Sequence, residues 1–217
     1  MAAIHPLFVT IEGIEGCGKT TQVRELSRAL TAAGVSHLLT REPGGSPLGE
    51  TLRAVLLDPA RGSLDAVTEL LLLAAARREH LAQVIEPALA SGQTVLCDRF
   101  TDATCAYQGY GRGLPLSTIE AVHALPGLSR VPDVTLLLDH PVETALRRAR
   151  QRQAQDGDRL TRFEDEDLTF HQRVRDGYRA LARADPDRMI VIDATGPVDT
   201  VHERVHSALF ARLGLAV

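Results

Sequence analysis

The fold of this chain is decided by one short stretch, which reads Gly13-Ile14-Glu15-Gly16-Cys17-Gly18-Lys19-Thr20. It fits the pattern G-x-x-x-x-G-K-[ST], in which glycines let backbone N–H groups turn inward around phosphate oxygens. The apolar run Leu7–Glu12 predicts a strand before it, and the residues after it predict a helix whose positive N-terminal end attracts anions. The stretch, called the phosphate cradle below, therefore predicts a nucleoside triphosphate site in preference to a plain glycine turn.

Two side chains of the phosphate cradle have specific tasks in this interpretation. Lys19 is expected to reach the β- and γ-phosphates, and the Thr20 hydroxyl is expected to bind Mg²⁺. Lys19 is also the only lysine of the chain, in which arginine supplies the other permanent side-chain cations. A compact ammonium group and a wide planar guanidinium group are not interchangeable, so this lysine marks a place where arginine would not serve.

Five β-rich runs alternate with longer helical patterns along the chain. The predicted strands are Leu7–Glu12, Ser36–Thr40, Thr94–Cys97, Val134–Asp139 and Met189–Asp193. The predicted helices are Gly18–Ala33, Pro47–Leu57, Leu64–Ser91, Leu116–Leu125, Pro141–Arg152, Glu164–Ala184 and Pro197–Leu213. This alternation, with nearly continuous apolar strands, predicts an α/β domain over residues 1–217 whose parallel sheet is covered by helices on both faces.

Two segments depart from the ordinary pattern. Leu70–Ala76 is seven apolar residues in a row within a predicted helix. That helix is expected to be covered all round, either within the core or at a subunit interface. Arg147–Asp167 is rich in charge and poor in large apolar side chains, so we expect it to lie outside the core, as a solvated helix end or as a flap that carries arginines.

Composition limits the classes of function. The chain has 217 residues, enough for one domain with a sizeable core. Its formal net charge of −4 argues against a protein that coats nucleic acid. Three cysteines are too few for a disulfide framework, and no apolar stretch is long enough to span a bilayer. With no leader-like N-terminus, the sequence predicts a cytoplasmic protein that binds neither membrane nor nucleic acid.

A second polar motif, Asp98-Arg99-Phe100, follows the third predicted strand. Such an aspartate can hold the Mg²⁺ shell, and the arginine can bind a second phosphate with two parallel hydrogen bonds. Taken alone, the pair is equally compatible with a structural ion pair. A GTPase that reads its base with Asn-Lys-x-Asp is excluded, because the chain contains no asparagine.

These motifs occur together, in order, in one family. Over nearly its whole length the sequence resembles the thymidylate kinases, of the bacterial type that carries arginines in its lid. The resemblance rests on Phe8-Val9-Thr10-Ile11-Glu12-Gly13, Thr40-Arg41-Glu42-Pro43-Gly44-Gly45, Ala75-Ala76-Arg77, Asp98-Arg99-Phe100, Ala106-Tyr107-Gln108-Gly109, Arg112-Gly113, Arg162-Phe163-Glu164 and Ile192-Asp193-Ala194-Thr195. It implies a P-loop nucleoside monophosphate kinase fold with a five-stranded parallel sheet, a homodimer, and transfer of the γ-phosphoryl group of Mg-ATP to dTMP, giving dTDP for dTTP and DNA synthesis.

The resemblance also implies roles for single residues. Glu15 accepts a hydrogen bond from the 3′-hydroxyl, Arg77 donates to a thymine carbonyl, and Tyr107 fills the place of a 2′-hydroxyl. The residues expected around dTMP are Glu15, Pro43, Arg53, Leu73, Arg77, Arg99, Thr104, Tyr107 and Gln108, with the peptide before Pro43 in the cis form. Those expected around ATP are Gly13, Ile14, Glu15, Gly16, Cys17, Gly18, Lys19, Thr20, Asp193, Ala194 and Thr195. Thr20 and Asp98 are the expected Mg²⁺ ligands.

The lid, about residues 147–167, is implied to supply catalytic arginines because the phosphate cradle carries no basic residue between Gly13 and Gly18. The candidates are Arg150, Arg152 and Arg159, which join Lys19 and Arg99 as the predicted catalytic residues. The chain departs from the family at Leu73, where relatives place a phenylalanine against thymine, and at Ala103, where they place a serine. A leucine can cover the base but cannot stack on it.

Two alternatives stay open at this point. The first is another nucleoside monophosphate kinase of the same fold, acting on uridylate or a different deoxynucleotide; a tyrosine at the 2′ position argues against a ribonucleotide. The second is a catalytically silent P-loop protein that senses nucleotide and regulates a partner. Intact Lys19, Thr20, Asp98 and Arg99 argue against silence, because a sensor does not need both phosphate sites. None of the histidines is given a role, since a phosphate acceptor needs no general base.

Overall fold

The structure, a computed structural model, describes residues 5–156 and 162–215, with only the backbone of residues 152–156. A five-stranded parallel sheet has the strand order β2-β3-β1-β4-β5. The strands are β1 (Phe8–Glu12), β2 (His37–Arg41), β3 (Thr94–Asp98), β4 (Val134–Asp139) and β5 (Met189–Asp193). All five predicted strands are present, each within one residue of the predicted bounds, and the predicted α/β class is confirmed.

Helices cover both faces of the sheet. They are α1 (Lys19–Ala32), α2 (Pro47–Leu57), α3 (Ala66–His80), α4 (Glu86–Ala90), α5 (Thr101–Thr104), α6 (Leu116–His123), α7 (Val142–Asp156), α8 (Leu168–Ala184) and α9 (Val198–Leu213). A π-helical turn, Leu81–Ile85, joins α3 to α4, so the predicted helix Leu64–Ser91 is one nearly continuous rod. The larger hydrophobic core lies between the sheet and α1, α8 and α9, and a smaller one lies under α3 and α4.

The strand order places the functional edge of the sheet. The chain moves from β1 to one side of the sheet and later returns to β4 on the other side, so the direction of winding reverses beside β1. Ligands of open α/β sheets bind at such a switch point, outside the carboxyl ends of the strands. All five strands end there in a charged residue, namely Glu12, Arg41, Asp98, Asp139 and Asp193.

One helical segment was not predicted. Helix α5 continues into a π-helical segment, Cys105–Gly111, although glycines at 109 and 111 disfavour a helix. Close packing explains these glycines: a Cβ on Gly111 would lie 2.7 Å from the Phe170 ring of α8, and one on Gly109 would lie 2.7 Å from Leu116. Tertiary packing, rather than local preference, therefore sets this segment.

The structure places the two segments that composition singled out. The core of the single chain does not cover helix α3 all round, because Leu71 is 55% exposed while the neighbouring Leu70 is buried. Of the two expectations for this helix, only cover at a subunit interface therefore stays open. The segment Arg147–Asp167 is not entirely outside the core, because Ala149, Arg162 and Phe163 are buried. Helix α8 begins later than predicted, at Leu168, since the Asp167 carboxylate caps it by accepting from the Phe170 amide.

Within the described ranges, none of the helices combines the length and the apolar character needed to cross a bilayer.

Candidate active site

A cleft opens at the carboxyl edge of β1 and β3. It brings together most residues that the sequence nominated. Its walls include Glu15, Gly16, Gly18, Lys19, Thr20, Pro43, Arg53, Leu73, Arg77, Asp98, Arg99, Thr104, Tyr107 and Gln108. Every predicted dTMP contact and both predicted Mg²⁺ ligands thus lie on one cavity.

The phosphate cradle forms the floor of this cleft. The Lys19 ammonium group donates to the carbonyl oxygens of Gly13 and Ile14, at 2.9 and 3.0 Å, which holds the charge inside the loop. A Cβ on Gly16 would lie 1.9 Å from the carbonyl oxygen of Ala145 in α7, so only glycine allows the loop to pack against that helix. The side chains of Ile14 and Cys17 are buried, so these residues can face a ligand only through their backbone.

Glu15 is an acid of the cleft that several side chains hold in place. Its carboxylate accepts from the Tyr107 hydroxyl at 2.6 and 2.7 Å and from the Arg99 guanidinium at 2.8 Å. The imidazole of His171, fully buried in α8, places Nδ1 3.5 Å from the same carboxylate. Burial alone would raise the pKa of Glu15, but Arg99 and His171 outweigh it and hold that pKa well below its usual range.

Arg99 has an unusual backbone conformation, and its guanidinium group lies near the carboxylates of Glu15 and Glu12. Its φ of 71° lies in the left-handed region, which costs a non-glycine residue free energy and tends to occur at functional sites. The guanidinium lies over the Tyr107 ring, 4.8 Å from its centroid, and donates to the Tyr178 hydroxyl at 3.2 Å. Tyr178 in turn donates to Glu12 at 2.7 Å. Helix α8 thereby links the floor of the cleft to the end of β1.

Glu12 is a fully buried acid behind the cleft. Its other oxygen accepts from the Phe100 amide at 2.7 Å. Burial, reinforced by the nearby charge of Asp102, raises the pKa of Glu12 to about 7, although Arg99 and the two hydrogen bonds oppose this. Glu12 therefore titrates near neutral pH in the folded protein.

The far wall of the cleft is built around Arg77 of α3. Its Nε donates to Glu42 at 2.8 Å, and one terminal nitrogen donates to the Phe100 carbonyl at 3.1 Å and to the Thr104 hydroxyl at 3.0 Å. Glu42 precedes Pro43 through a cis peptide, as the resemblance implied. The guanidinium is thus fixed in place, and the Thr104 oxygen that accepts from it keeps its own proton for another partner.

The remaining residues that were predicted to contact dTMP differ in how they are held. Arg53 donates to the Pro43 carbonyl at 2.8 Å, and burial, together with the neighbouring Arg41, lowers its pKa. Leu73 lines the cleft as a flat aliphatic surface. Gln108 is almost fully buried and donates from its amide nitrogen to Glu69 at 2.6 Å.

Asp193, Ala194, Thr195 and Arg150 do not line this cleft. Asp193 is the last residue of β5, and the Thr195 hydroxyl donates to its carboxylate at 2.7 Å. Arg150 is exposed on α7, one residue after Ala149, whose amide nitrogen would be 3.1 Å from a Cβ on Gly16. The side chain of Arg152 and the whole of Arg159 lie outside the described residues.

Several cleft residues escaped the sequence analysis. Arg41, Glu42, Phe163 and Glu164 line the cavity, and all four belong to the quoted motifs, which could have nominated them. His171 and Tyr178 escaped for a different reason. They are two turns apart on the buried face of α8, a spacing typical of any amphipathic helix, so the pattern indicated only core packing.

Comparison with known proteins agrees with this geometry. A sequence model of a family described as thymidylate kinase matches residues 11–205. The thymidylate kinase of Trichlorobacter lovleyi is 51% identical over 212 residues, which cover 97% of this chain and 100% of that protein. The thymidylate kinase of a Geobacter species is 53% identical over 207 residues, which cover 95% and 92%.

A solved structure is similar as well. The crystal structure of thymidylate kinase from Ehrlichia chaffeensis matches with a TM-score of 0.73 and 35% sequence identity. The match covers 94% of this chain and 97% of that one. The likeness therefore extends over the sheet, the helices and the cleft together.

Proposed function

The chain belongs to the thymidylate kinase family, and we propose how its cleft performs that family's reaction. A thymidylate kinase transfers the γ-phosphoryl group of ATP to dTMP and so supplies dTDP for dTTP and DNA synthesis. The observation that supports the assignment is that the phosphate cradle and the cationic side chain of Arg99 line one cleft. Two phosphate sites facing each other are what phosphoryl transfer between nucleotides requires.

On the acceptor side, dTMP binds between α3 and the phosphate cradle. Arg99 binds the 5′-phosphate, assisted by Arg53, and the ionised Glu15 accepts from the 3′-hydroxyl. Tyr107 stands beside Glu15 and excludes a 2′-hydroxyl. The base lies against Leu73 and Pro43, where the fixed Arg77 donates to a carbonyl oxygen and Thr104 and Gln108 bond its polar edge.

On the donor side, the phosphate cradle binds the phosphates of ATP. Lys19 exchanges its present bonds to the Gly13 and Ile14 carbonyl oxygens for phosphate oxygens, and the Asp193–Thr195 loop packs on adenine. The acceptor phosphate is a monoester whose second pKa is about 6, so it is mostly dianionic at neutral pH and needs no general base. The catalytic task of Lys19, Arg99 and the lid is to bring two anions together in line.

Mg²⁺ is the metal that we assign to this reaction. Thr20 and Asp98 both present oxygen to the cleft, and Mg²⁺ binds through one or two such protein ligands plus substrate phosphates. When bound, the ion supplies positive charge that offsets the charge developing between the phosphates. The donor set is therefore suited to a hard ion that arrives with ATP.

The lid arginines complete the positive charge. The phosphate cradle packs closely on Ala145 and Ala149 of α7, and Arg150 follows Ala149 on that helix. This placement supports the assignment of Arg150 to the donor phosphates, and we assign Arg152 and Arg159 to them on the family resemblance alone. One arginine well placed in phosphoryl transfer can change the rate by about 10³ or more.

The protein acts as a homodimer in the cytoplasm, where ATP and deoxynucleotides are found. The dimer assignment is supported by the apolar, exposed strip of α3, which includes Val67 (45% exposed) and Leu71. A surface of that kind is typical of subunit interfaces. The three cysteines are free thiols, which suits a reducing compartment.

One assay tests the proposed function. ADP release is followed with Mg-ATP and dTMP, dUMP, dCMP, dGMP, dAMP, UMP or CMP as acceptor, with EDTA as the metal control. We expect strong preference for dTMP, little activity with ribonucleotides and none with EDTA. Preference for another acceptor would assign a sister kinase, and ATP binding without turnover on any acceptor would assign a nucleotide sensor.

A further inference from the structure

A buried carboxylate outside the assigned site forms a hydrogen bond with one of the residues of that site. Glu69 lies in the first turn of α3 and has no exposed surface. It accepts from the Gln108 amide nitrogen at 2.6 Å, and the Arg162 guanidinium lies 2.5 Å from its other oxygen. Arg112 approaches the first oxygen at 3.4 Å. A buried acid that holds a side chain of the binding cleft has a task beyond packing.

The two arginines determine what Glu69 can offer to Gln108. A carboxylate buried against guanidinium groups is ionised, and an ionised carboxylate only accepts hydrogen bonds. Gln108 must therefore turn its NH₂ group toward Glu69, and its carbonyl oxygen away from it. Without this constraint the two ends of an amide are nearly equal in shape and can exchange by a rotation of the terminal torsion.

The other side of Glu69 is held as firmly as the first. Arg162 donates from Nε to the Leu56 carbonyl at 3.1 Å, and its backbone amide donates to the Leu57 carbonyl at 3.2 Å. Arg112 forms a further ion pair with Glu166. These bonds anchor the carboxylate to α2 and to the C-terminal part of the lid, so Glu69 cannot turn to follow a rotating amide.

We propose that Glu69 is a positioning residue that selects thymine over cytosine by fixing the orientation of the Gln108 amide. This inference rests on the proposed function, in which Gln108 bonds the polar edge of the base. The N3 atom of thymine carries a proton and donates, whereas N3 of cytosine accepts. A Gln108 carbonyl oxygen that is fixed toward the base accepts a hydrogen bond from N3 of thymine. With cytosine the same oxygen faces a second acceptor, and two buried acceptors in contact cost binding free energy.

The test compares dTMP and dCMP as acceptors for wild-type enzyme, Glu69→Gln and Glu69→Asp. Glu69→Gln can present either end of its own amide, so it frees the Gln108 amide to rotate. Glu69→Asp keeps the negative charge for Arg162 but withdraws it from Gln108. We expect both variants to lower the ratio of kcat/KM for dTMP over dCMP by about tenfold, the factor of one charge-assisted hydrogen bond. KM for ATP should stay within twofold.

Asp102→Asn provides the matched control. Asp102 is another buried carboxylate paired with an arginine, Arg188, at 2.7 and 3.0 Å, but it does not line the cleft. The Asp102→Asn variant should be less stable than wild type but should keep the same ratio of kcat/KM for dTMP over dCMP. An unchanged ratio in a folded Glu69 variant, or an equal change in Asp102→Asn, would reduce Glu69 to a structural role.

A second measurement does not depend on whether these variants fold. The NMR signals of the Gln108 side-chain amide in wild-type protein are identified because they are missing from the spectrum of Gln108→Met. We expect their protons to exchange slowly with solvent, both free and with dTMP bound. Rapid exchange would overturn the proposal. A wild-type enzyme that prefers dCMP would instead overturn the proposed function, whatever the Glu69 variants do.

Discussion

The Tyr107 hydroxyl donates to both carboxylate oxygens of Glu15, at 2.6 and 2.7 Å. Because a hydroxyl carries only one proton, it is shared between the two oxygens, and the pair acts as one rigid unit. Glu15 is expected to hold the 3′-hydroxyl of the acceptor and Tyr107 to fill the place of a 2′-hydroxyl. Their contact therefore couples two requirements on the sugar, which are the presence of a 3′-hydroxyl and the absence of a 2′-hydroxyl.

Removing the hydroxyl should separate these two functions. In Tyr107→Phe the ring still fills space, but Glu15 loses a charge-assisted hydrogen bond and can accept from a 2′-hydroxyl instead. We expect kcat/KM for UMP relative to dUMP to rise about tenfold, the value of one such bond. Steady-state kinetics with both acceptors measure this ratio. If UMP gains nothing, the ring alone excludes ribose.

Replacing the only lysine should abolish useful turnover and leave the fold intact. Lys19→Ala removes the cation expected at the β- and γ-phosphates, so kcat should fall by about 10³ or more. Arg24→Ala, an exposed cation on the same helix, is the matched control and should behave as wild type. Circular dichroism checks the fold of both. Near-normal turnover by Lys19→Ala would remove this residue from the mechanism.

A buried acid should make stability depend on pH. The pKa of Glu12 is about 7 in the folded protein, against an ordinary value of 4.5 for a free glutamate side chain. Glu12 thus binds its proton more tightly in the folded state than in the unfolded state. The stability that this proton gives to the folded state is complete below pH 4.5 and is lost as the pH rises to 7. The total loss is about 3 kcal/mol.

Glu12→Gln, which mimics the protonated acid, should remove that loss. Relative to wild type, the variant should gain about 1.4 kcal/mol in the free energy of unfolding for each pH unit between 4.5 and 7. Urea denaturation of both proteins at several pH values measures this difference in the free energy of unfolding. The contribution of Glu15 at acid pH is the same in both proteins and therefore cancels. Parallel profiles for the two proteins would show that Glu12 keeps its ordinary pKa.

Restoring the aromatic residue should improve base binding. Leu73 lines the open cleft, so a larger ring can extend into the space beside the base without displacing the core. Stacking on a base contributes about 1–3 kcal/mol, and we expect Leu73→Phe to lower KM for dTMP about tenfold while KM for ATP stays constant. A higher KM for dTMP would show that the pocket is already filled by another group.

A charge on the exposed face of α3 should dissociate the proposed dimer. Leu71 is 55% exposed in the single chain and would be buried between subunits. Leu71→Glu would place an unpaired charge there, which strongly opposes association. Sedimentation should give the mass of a dimer for wild type and of a monomer for the variant. Arg61→Glu, an exposed change outside this strip, should remain dimeric.

Local patterns predicted much of this protein. The strands are short apolar runs, and the phosphate cradle needs glycine and lysine at fixed spacing, so both were readable from neighbouring residues. The segment Cys105–Gly111 was missed because its glycines disfavour a helix, and only their tertiary contacts with Leu116 and Phe170 explain them. For helix α3 the sequence left two alternatives open, because an apolar run does not say whether the core or a second subunit covers it.

The sequence by itself determined the fold class, the family resemblance and the nucleotide site, because each depends on residues close together in the chain. Only the tertiary structure decided how the site is held. Arg99 meets Glu15 across 84 residues, and Tyr178 meets Glu12 across 166. Glu69 likewise reaches Gln108 across 39. Such contacts form when helices pack against the sheet, and no local pattern shows which distant residues they bring together.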